Sequence, residues 1–178
     1  MGPERSIIPF EMERAEPLRG SRLDDLYVRH APDGIRLAYL LTGDRALAED
    51  LVQEAFARFV GRLLHLRNPE AFEPYLRRTI VNLSRSYFRH RKVERAYLER
   101  LALAPTRPAA DRDDPDEVLH EALLRLPARQ RAAIVLRFYE DLTDTQTAEV
   151  MRCRPGTVRS LVSRGMKILR IELAEEAR

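Results

Sequence analysis

The sequence predicts an all-α fold: two small helical domains joined by a flexible acidic Pro-containing linker, the C-terminal domain a helix-turn-helix. Three observations carry this. Apolar residues recur at spacings of three and four through most of the 178 residues, and no segment shows the alternation of a half-buried strand. Between Ala104 and Pro115 the run A-P-T-R-P-A-A-D-R-D-D-P interrupts that pattern with three prolines and with Asp111, Asp113 and Asp114. The stretch from Thr143 to Arg170 reads as two short helices joined by a tight turn.

Residues 1–20 hold Pro3, Pro9 and Pro17 among scattered charges and are expected to form a flexible arm. Helical periodicity starts near Leu23. Leu26, Ile35, Leu37, Leu40 and Leu41 share a face, Thr42-Gly43-Asp44 ends it, and Asp44 is placed to cap the next helix. That helix, roughly Arg45 to Leu64, has a core stripe of Leu47, Leu51, Val52, Ala55, Phe56, Phe59 and Leu63. Glu49, Asp50, Gln53 and Glu54 gather in its N-terminal half, where carboxylates suit the helix dipole. The cluster admits two readings, a solvated face or a docking surface for a basic partner helix. His65 to Pro74, with Asn68-Pro69, reads as a loop. A long helix follows, about Tyr75 to Leu103. From Arg77 to Arg100 it carries eight Arg or Lys against two Glu, with Tyr75, Tyr87 and Phe88 interleaved. Cations that track a backbone and rings that accept stacked bases suit unpaired nucleic acid. A helix of this length must also bury one stripe, so one of Tyr87 and Phe88 is expected in the core.

Beyond the linker a second unit begins near Asp116. Leu123, Leu126, Ala133, Ile134 and either Val135 or Leu136 supply its core. Thr143 can cap the first helix of the helix-turn-helix, whose apolar positions are Ala148, Val150 and Met151. Arg152-Cys153-Arg154 makes the turn, and Pro155 suits the first position of the next helix, where a missing N–H costs nothing. Val158, Val162, Gly165 and Leu169 then form one buried stripe, leaving Arg159, Ser160, Ser163, Arg164 and Lys167 outward. Six basic residues and no acidic one lie between Arg152 and Arg170. Such a helix has the means to sit in a major groove, where Arg bonds guanine bidentately and Ser adapts to either partner. A helical hairpin with a solvated basic face is the plainer reading of this stretch by itself.

The 31 basic and 28 acidic residues leave a net charge of only +3, so the charge is read by segment. Only Lys92 and Lys167 are lysine. Arg suits phosphates and base edges, although a GC-rich coding bias accounts for most of the preference. Cys153 is the single cysteine, which excludes an internal disulfide and fits a reducing compartment. No apolar run is long enough to span a membrane, and Pro9 interrupts Ile7 and Ile8 where a signal peptide would need continuity. The protein is therefore expected in the cytoplasm, with no membrane partner. His30, His65, His90 and His120 are isolated, without metal-ligand spacing. There is no Gly-rich phosphate loop and no nucleophile elbow, so neither a cofactor nor an enzymatic activity is expected.

Four segments in order, L-T-G-D-R-A-L-A-E-D-L-V-Q-E-A-F, Y-L-R-R-T-I-V-N-L, L-P-A-R-Q-R-A-A-I-V-L-R-F-Y-E-D-L-T and P-G-T-V-R-S-L-V-S-R, resemble an extracytoplasmic-function (group IV) RNA polymerase sigma factor. The V-N-L-S-R-S and Y-F-R runs resemble actinobacterial members. The resemblance spans about Leu23 to Leu173 and implies a role for each surface. Residues 21–103 would be sigma region 2 and residues 116–178 region 4, with 104–115 a linker threading toward the RNA exit channel. Asp50, Gln53, Glu54 and Phe56 match positions that bind the β′ clamp helices of core polymerase. The loop His65 to Pro74, around Asn68, matches the segment that captures a base flipped from the −10 element, and Asn82 lies near that pocket. Arg77, Arg78, Arg85, Arg89 and Arg91 would hold the open strands, with Tyr87 and Phe88 available for stacking. Arg154, Thr157, Arg159, Ser160, Ser163, Arg164 and Lys167 fall on the end and face that read the −35 element. The β flap and promoter DNA are further expected partners, and an anti-sigma factor is one the resemblance allows. The implied mechanism is not catalytic, since the polymerase does the chemistry.

Four positions depart from the family pattern. Tyr75 stands where Trp is usual, and Ser86 where Asp is common, so contacts built on that Asp do not carry over. Arg154 replaces the usual Ser or Thr cap, at about 1 kcal/mol. Gly165 replaces a usual Ala, at a cost of roughly 1 kcal/mol. A free-standing helix-turn-helix regulator with an N-terminal dimerisation domain is the alternative. It would have no use for the Arg77 to Arg100 strip or the acidic helix. A helical enzyme finds no supporting constellation.

Overall fold

The computed structural model describes residues 18–60, 72–100 and 115–176, with side chains at 23–60, 72–91 and 117–175. Among them the chain is helical apart from short turns, without a strand. The N-terminal unit comprises α1 (Leu18–Thr42), α2 (Arg45–Val60) and α3 (Phe72–Arg100). The C-terminal unit comprises α4 (Pro115–Arg125), α5 (Ala128–Ile134) continuing into a π-helical turn (Val135–Tyr139), α6 (Asp144–Met151) and α7 (Pro155–Glu176). Three boundaries differ from expectation. Helix α1 already begins at Leu18, inside the expected arm, and α4 begins at Pro115, the last residue of the expected linker. Helix α3 begins at Phe72, so Pro74 is helical. In a first turn its missing N–H would have had no intrahelical partner. The remainder of the arm, Leu63, Asn68 and residues 104–114 lie outside the described residues.

Helix α1 packs against both α2 and α3 through Leu37, Ala38 and Leu41, which are buried as the apolar face predicts. Gly34 permits this approach: a Cβ there would stand 3.2 Å from Ile80 Cδ1 and 3.3 Å from Val52 Cγ2. The turn to α2 is closed by Gly43 at φ 71°, a left-handed conformation that favours glycine. Asp44 Oδ1 accepts the Leu47 N–H at 3.0 Å, the expected cap. Phe72, fully buried at the start of α3, stacks edge-on to Phe59 with centroids 4.5 Å apart and meets His30 at 5.1 Å. Each such ring contributes on the order of 1.5–3 kcal/mol by burial. The cluster anchors the start of α3.

In the C-terminal unit Leu123, Leu126, Ile134 and Leu169 form a small core of their own. Val135 and Leu136, of which one was expected inside, are both buried. The π-helical turn explains this. Glu140 N–H bonds Val135 O at 3.1 Å and Leu142 N–H bonds Leu136 O at 3.0 Å. The widened turn keeps two consecutive residues inward and sends Phe138 and Tyr139 to solvent.

The two units do not stand apart. Ala132, Ala133, Val135, Leu136, Val150 and Met151 belong to the same buried cluster as the α1–α3 core. Helices α5 and α6 lie on α3, and α4 lies on α1.

Candidate functional site

The acidic side of α2 is a free surface. Asp50, Gln53 and Glu54 are exposed, and Glu49 is partly so. Glu54 pairs with Arg58 at 2.6 Å and Glu49 with Arg45 at 3.3 Å, both one helical turn apart. Exposed pairs of this kind are weak, so the carboxylates remain available to a partner. Phe56 does not share that surface. It is only 5 % exposed, edge-on to Tyr27 at 4.9 Å and tilted on Phe72 at 5.2 Å. Its ring holds α2 against its neighbours, which corrects its placement among surface contacts.

Helix α3 is divided along its length. Arg78, Arg89 and Arg91 are exposed. Asn82 is half-buried, and its amide makes no side-chain hydrogen bond among the described residues. Tyr87 and Phe88 are both half-buried, edge-on to each other with centroids 5.6 Å apart, so neither is in the core as one was expected to be. Arg91 Nη1 donates to Tyr87 Oη at 3.3 Å. The remaining candidates on this helix face the C-terminal unit. Arg77 Nε donates to Glu140 Oε2 and its Nη2 to Glu73 Oε1, each at 2.6 Å. Burial by itself disfavours the Arg77 charge, but the hydrogen bonds and charges of Glu140 and then Glu73 outweigh it and raise its pKa above the ordinary guanidinium value. Arg85 Nη1 reaches Met151 O at a long 3.5 Å. The Arg131 guanidinium sits 4.7 Å above the Phe88 ring.

The helix-turn-helix is built as the sequence dictates. Thr143 Oγ1 accepts the Gln146 N–H at 3.2 Å, and Gln146 Oε1 accepts the Thr143 N–H at 2.8 Å, a reciprocal capping box. Arg152 takes φ 52° to end α6. The Arg154 carbonyl accepts from Thr157 and Val158 at 2.9 and 3.3 Å. Its guanidinium has no acceptor atom, so it cannot cap α7 as Ser or Thr would. Val158, Gly165 and Leu169 are buried, Val162 is half-buried, and Leu161 joins the stripe. Arg154, Arg159, Ser160, Ser163, Arg164 and Lys167 are exposed, with Thr157 half-buried beside them. Arg164 Nε is folded back on Ser160 O at 3.2 Å. Apart from its chain neighbours and the helix's own backbone, no atom among the described residues lies within 4 Å of where a Cβ on Gly156 would stand, so the first turn of α7 is open on that side.

Five contributors escape a reading by segment. Phe72 was assigned to a loop. Arg131, 3 % exposed, donates Nη1 to Leu124 O at 2.9 Å and ties α5 to the end of α4. Glu140 reaches α3, and Phe138 and Tyr139 stand at 62 % and 44 % exposure. Local periodicity carries no sign of any of them; only the unbroken apolar run Ala132 to Leu136, too long for one helical stripe, hints that α5 departs from a regular helix. Among the described residues no cluster of three potential metal ligands occurs, and no helix is long and apolar enough to cross a membrane.

Comparison with known proteins matches both units. The family pattern described as Sigma-70 region 2 covers residues 26–94, and that described as Sigma-70, region 4 covers residues 116–169. The RNA polymerase sigma-E factor of Streptomyces coelicolor is 34 % identical over 148 residues, 83 % of this chain and 84 % of that protein. The RNA polymerase sigma factor SigV of Bacillus subtilis is 31 % identical over 147 residues, 83 % of this chain and 88 % of its own. Among solved structures, the sigma factor RpoE of Bartonella quintana, crystallised with the anti-sigma factor NepR, superposes with a TM-score of 0.69 at 22 % identity, covering 86 % of this chain and 98 % of that one.

Proposed function

The chain belongs to the extracytoplasmic-function sigma factors of RNA polymerase, and from that premise we propose how its surfaces divide the work of starting transcription. It is a transcription initiation factor that binds core polymerase and directs it to specific promoters. Residues 21–103 act as the domain that binds core polymerase and melts the −10 element, and residues 116–178 as the domain that reads the −35 element. The exposed carboxylates Asp50 and Glu54, with Gln53, meet the β′ clamp helices. Asn82, Arg78, Arg89 and Arg91 serve the open strand, with the segment around Asn68 taking the flipped base. Unstacking that base costs a few kcal/mol, which a pocket and a cationic helix offset. On α7, Arg159, Ser160, Ser163, Arg164 and Lys167 read base edges and phosphates while the open first turn takes the backbone. Phe138 and Tyr139 give the C-terminal domain an apolar surface for the β flap. The protein works in the cytoplasm with polymerase, is not itself an enzyme, and is open to control by an anti-sigma factor.

The observation that carries this reading is the exposed cationic face of α7 opposite a buried stripe, in a helix-turn-helix whose first helix is closed by the Thr143–Gln146 capping box. Run-off transcription with purified core polymerase on fragmented DNA of the source organism tests it. The chain should produce discrete starts absent with core polymerase by itself. The same pattern of starts with and without the chain would overturn the reading.

A further inference from the structure

Arg152 closes α6 in the left-handed region, at φ 52° and ψ 56°. The backbone requires this. Cys153 N–H bonds Ala148 O at 2.9 Å and Arg152 N–H bonds Glu149 O at 3.3 Å, and a chain that wraps back on its helix in this way passes through left-handed geometry. Glycine takes that conformation without a Cβ penalty, whereas a long side chain adopts it at a cost. Asp141, the other non-glycine residue at positive φ among the described residues, is of a type that visits this region readily; arginine is not. Two positions on, Arg154 stands where a side-chain acceptor would cap α7, and it supplies none. The turn thus forgoes folding stability twice and holds a guanidinium at each place.

Neither guanidinium is used within the molecule. Both are exposed, and neither makes an ion pair or a side-chain hydrogen bond among the described residues. By contrast Arg125 is held by Glu172 and Arg137 by Asp144. Arg152 and Arg154 line one open groove of about 470 Å³, together with Thr145 and Glu149 of α6 and Pro155 at the start of α7. Two guanidiniums against one carboxylate leave the groove net positive. It adjoins the helix whose exposed face carries Arg159, Ser160 and Ser163. A strained residue with no partner in the fold points to a ligand outside it. The guanidinium fork suits a phosphate, and a groove beside the base-reading face meets the DNA backbone rather than base edges.

We propose that Arg152 is a further DNA contact, a clamp on the sugar-phosphate backbone beside the −35 bases, and that the chain gives up folding stability at the turn to hold it there. The proposal rests on the −35 reading of α7 made above. A phosphate contact adds affinity at every sequence and carries no base preference. Arg154, on the same groove, adds to the field that draws the phosphate in.

The test uses holoenzyme assembled from core polymerase and the full chain, on the promoter fragment that run-off transcription locates. Arg152→Gly removes the charge and relieves the left-handed position. It should unfold at a urea concentration no lower than the parent and bind core polymerase as the parent does. Its closed complex with the promoter should be about threefold weaker or more, and the slope of log affinity against log salt shallower by about one. The loss should be the same on the parent −35 sequence and on its single-base variants. Arg152→Lys, which keeps the charge and the strained backbone, should recover most of the affinity and of the salt slope. Parent affinity and slope in the glycine variant would remove Arg152 from the DNA. A loss confined to one base position would make Arg152 a base reader, and earlier unfolding of the glycine variant would make it a structural residue; either would overturn the proposal. Failure of the −35 reading shows differently, as a parent holoenzyme whose affinity is unchanged across the single-base variants.

Discussion

Ile134 Cδ1 occupies the space where Gly165 has no Cβ, 2.6 Å from the position that atom would take. Gln130 Cβ closes the other side at 3.3 Å. The missing methyl lets α7 approach α5 closely, so the glycine is not the simple loss of helix propensity that its place in the sequence suggests. An unhindered helical Gly→Ala change stabilises by about 1 kcal/mol. Here Gly165→Ala should gain nothing in urea unfolding, because Ile134 must be displaced. Gly165→Leu should cost about 2 kcal/mol or more through overpacking. Recovery of the full helical gain in the alanine variant would show that the approach is not tight.

The capping box at Thr143 joins two orphan donors to one side-chain pair. Thr143→Ala should destabilise the C-terminal domain by about 1 kcal/mol. Gln146→Ala should give a smaller loss, and the double variant less than the sum, because both remove the same reciprocal unit. Additive losses in urea titrations would contradict the pairing.

Charge reversal at Asp50 and Glu54 tests the docking surface. Both are exposed, and only the Glu54–Arg58 contact is lost within the helix, worth a few tenths of a kcal/mol. Asp50→Lys with Glu54→Lys should therefore keep the helical circular-dichroism signal and the unfolding midpoint. Binding to core polymerase, followed by pull-down or anisotropy, should weaken by about tenfold or more. Unchanged affinity would remove this face from the interface.

Arg164 must leave the Ser160 carbonyl to read a base. Arg164→Ala should cost about 1–3 kcal/mol at a single base position if it meets a guanine edge. If it meets a phosphate, all sequences should weaken alike and the salt slope fall by about one. A panel of single-base variants measured at two salt concentrations separates the two, and no loss on any sequence would take Arg164 off the DNA.

Promoter melting should depend on the region from His65 to Arg91. Asn82 offers a half-buried amide with both donor and acceptor capacity and makes no side-chain hydrogen bond among the described residues. Asn82→Ala should leave core binding and the closed complex nearly normal while permanganate reactivity of unpaired thymines falls by about tenfold, as expected when a buried base edge loses its partner. Replacing the loop with Gly and Ser should act in the same direction. Normal reactivity in a stable, core-bound loop variant would refute the assignment; a loss of thermal stability matching the loss of melting would make Asn82 a packing residue.

What was legible in the sequence is what depends on near neighbours. The capping box spans three residues, the α7 stripe repeats every three or four, and the acidic positions of α2 sit opposite an apolar row of the same helix. Helical geometry converts each of these patterns into a face without reference to the rest of the chain. Phe56 shows where that reasoning stops. Its spacing placed it in the core stripe while its motif placed it at the surface, and only its contacts with Tyr27 and Phe72 decide for the core.

The sequence by itself determined that the chain is helical, that its last helices form a basic helix-turn-helix and that α3 is a cationic strip beside aromatic rings. It did not determine which of those cations is free. Arg77 and Arg91 look alike on the helix, yet Arg77 meets Glu140, 63 positions away, while Arg91 stays in solvent. That difference depends on the π-helical turn that brings Glu140 round to α3 and on the apolar packing that seats one domain on the other. Both arise from how the domains fit together, since a buried pair forms only where two elements approach and exclude water, and no local period in the chain encodes that approach.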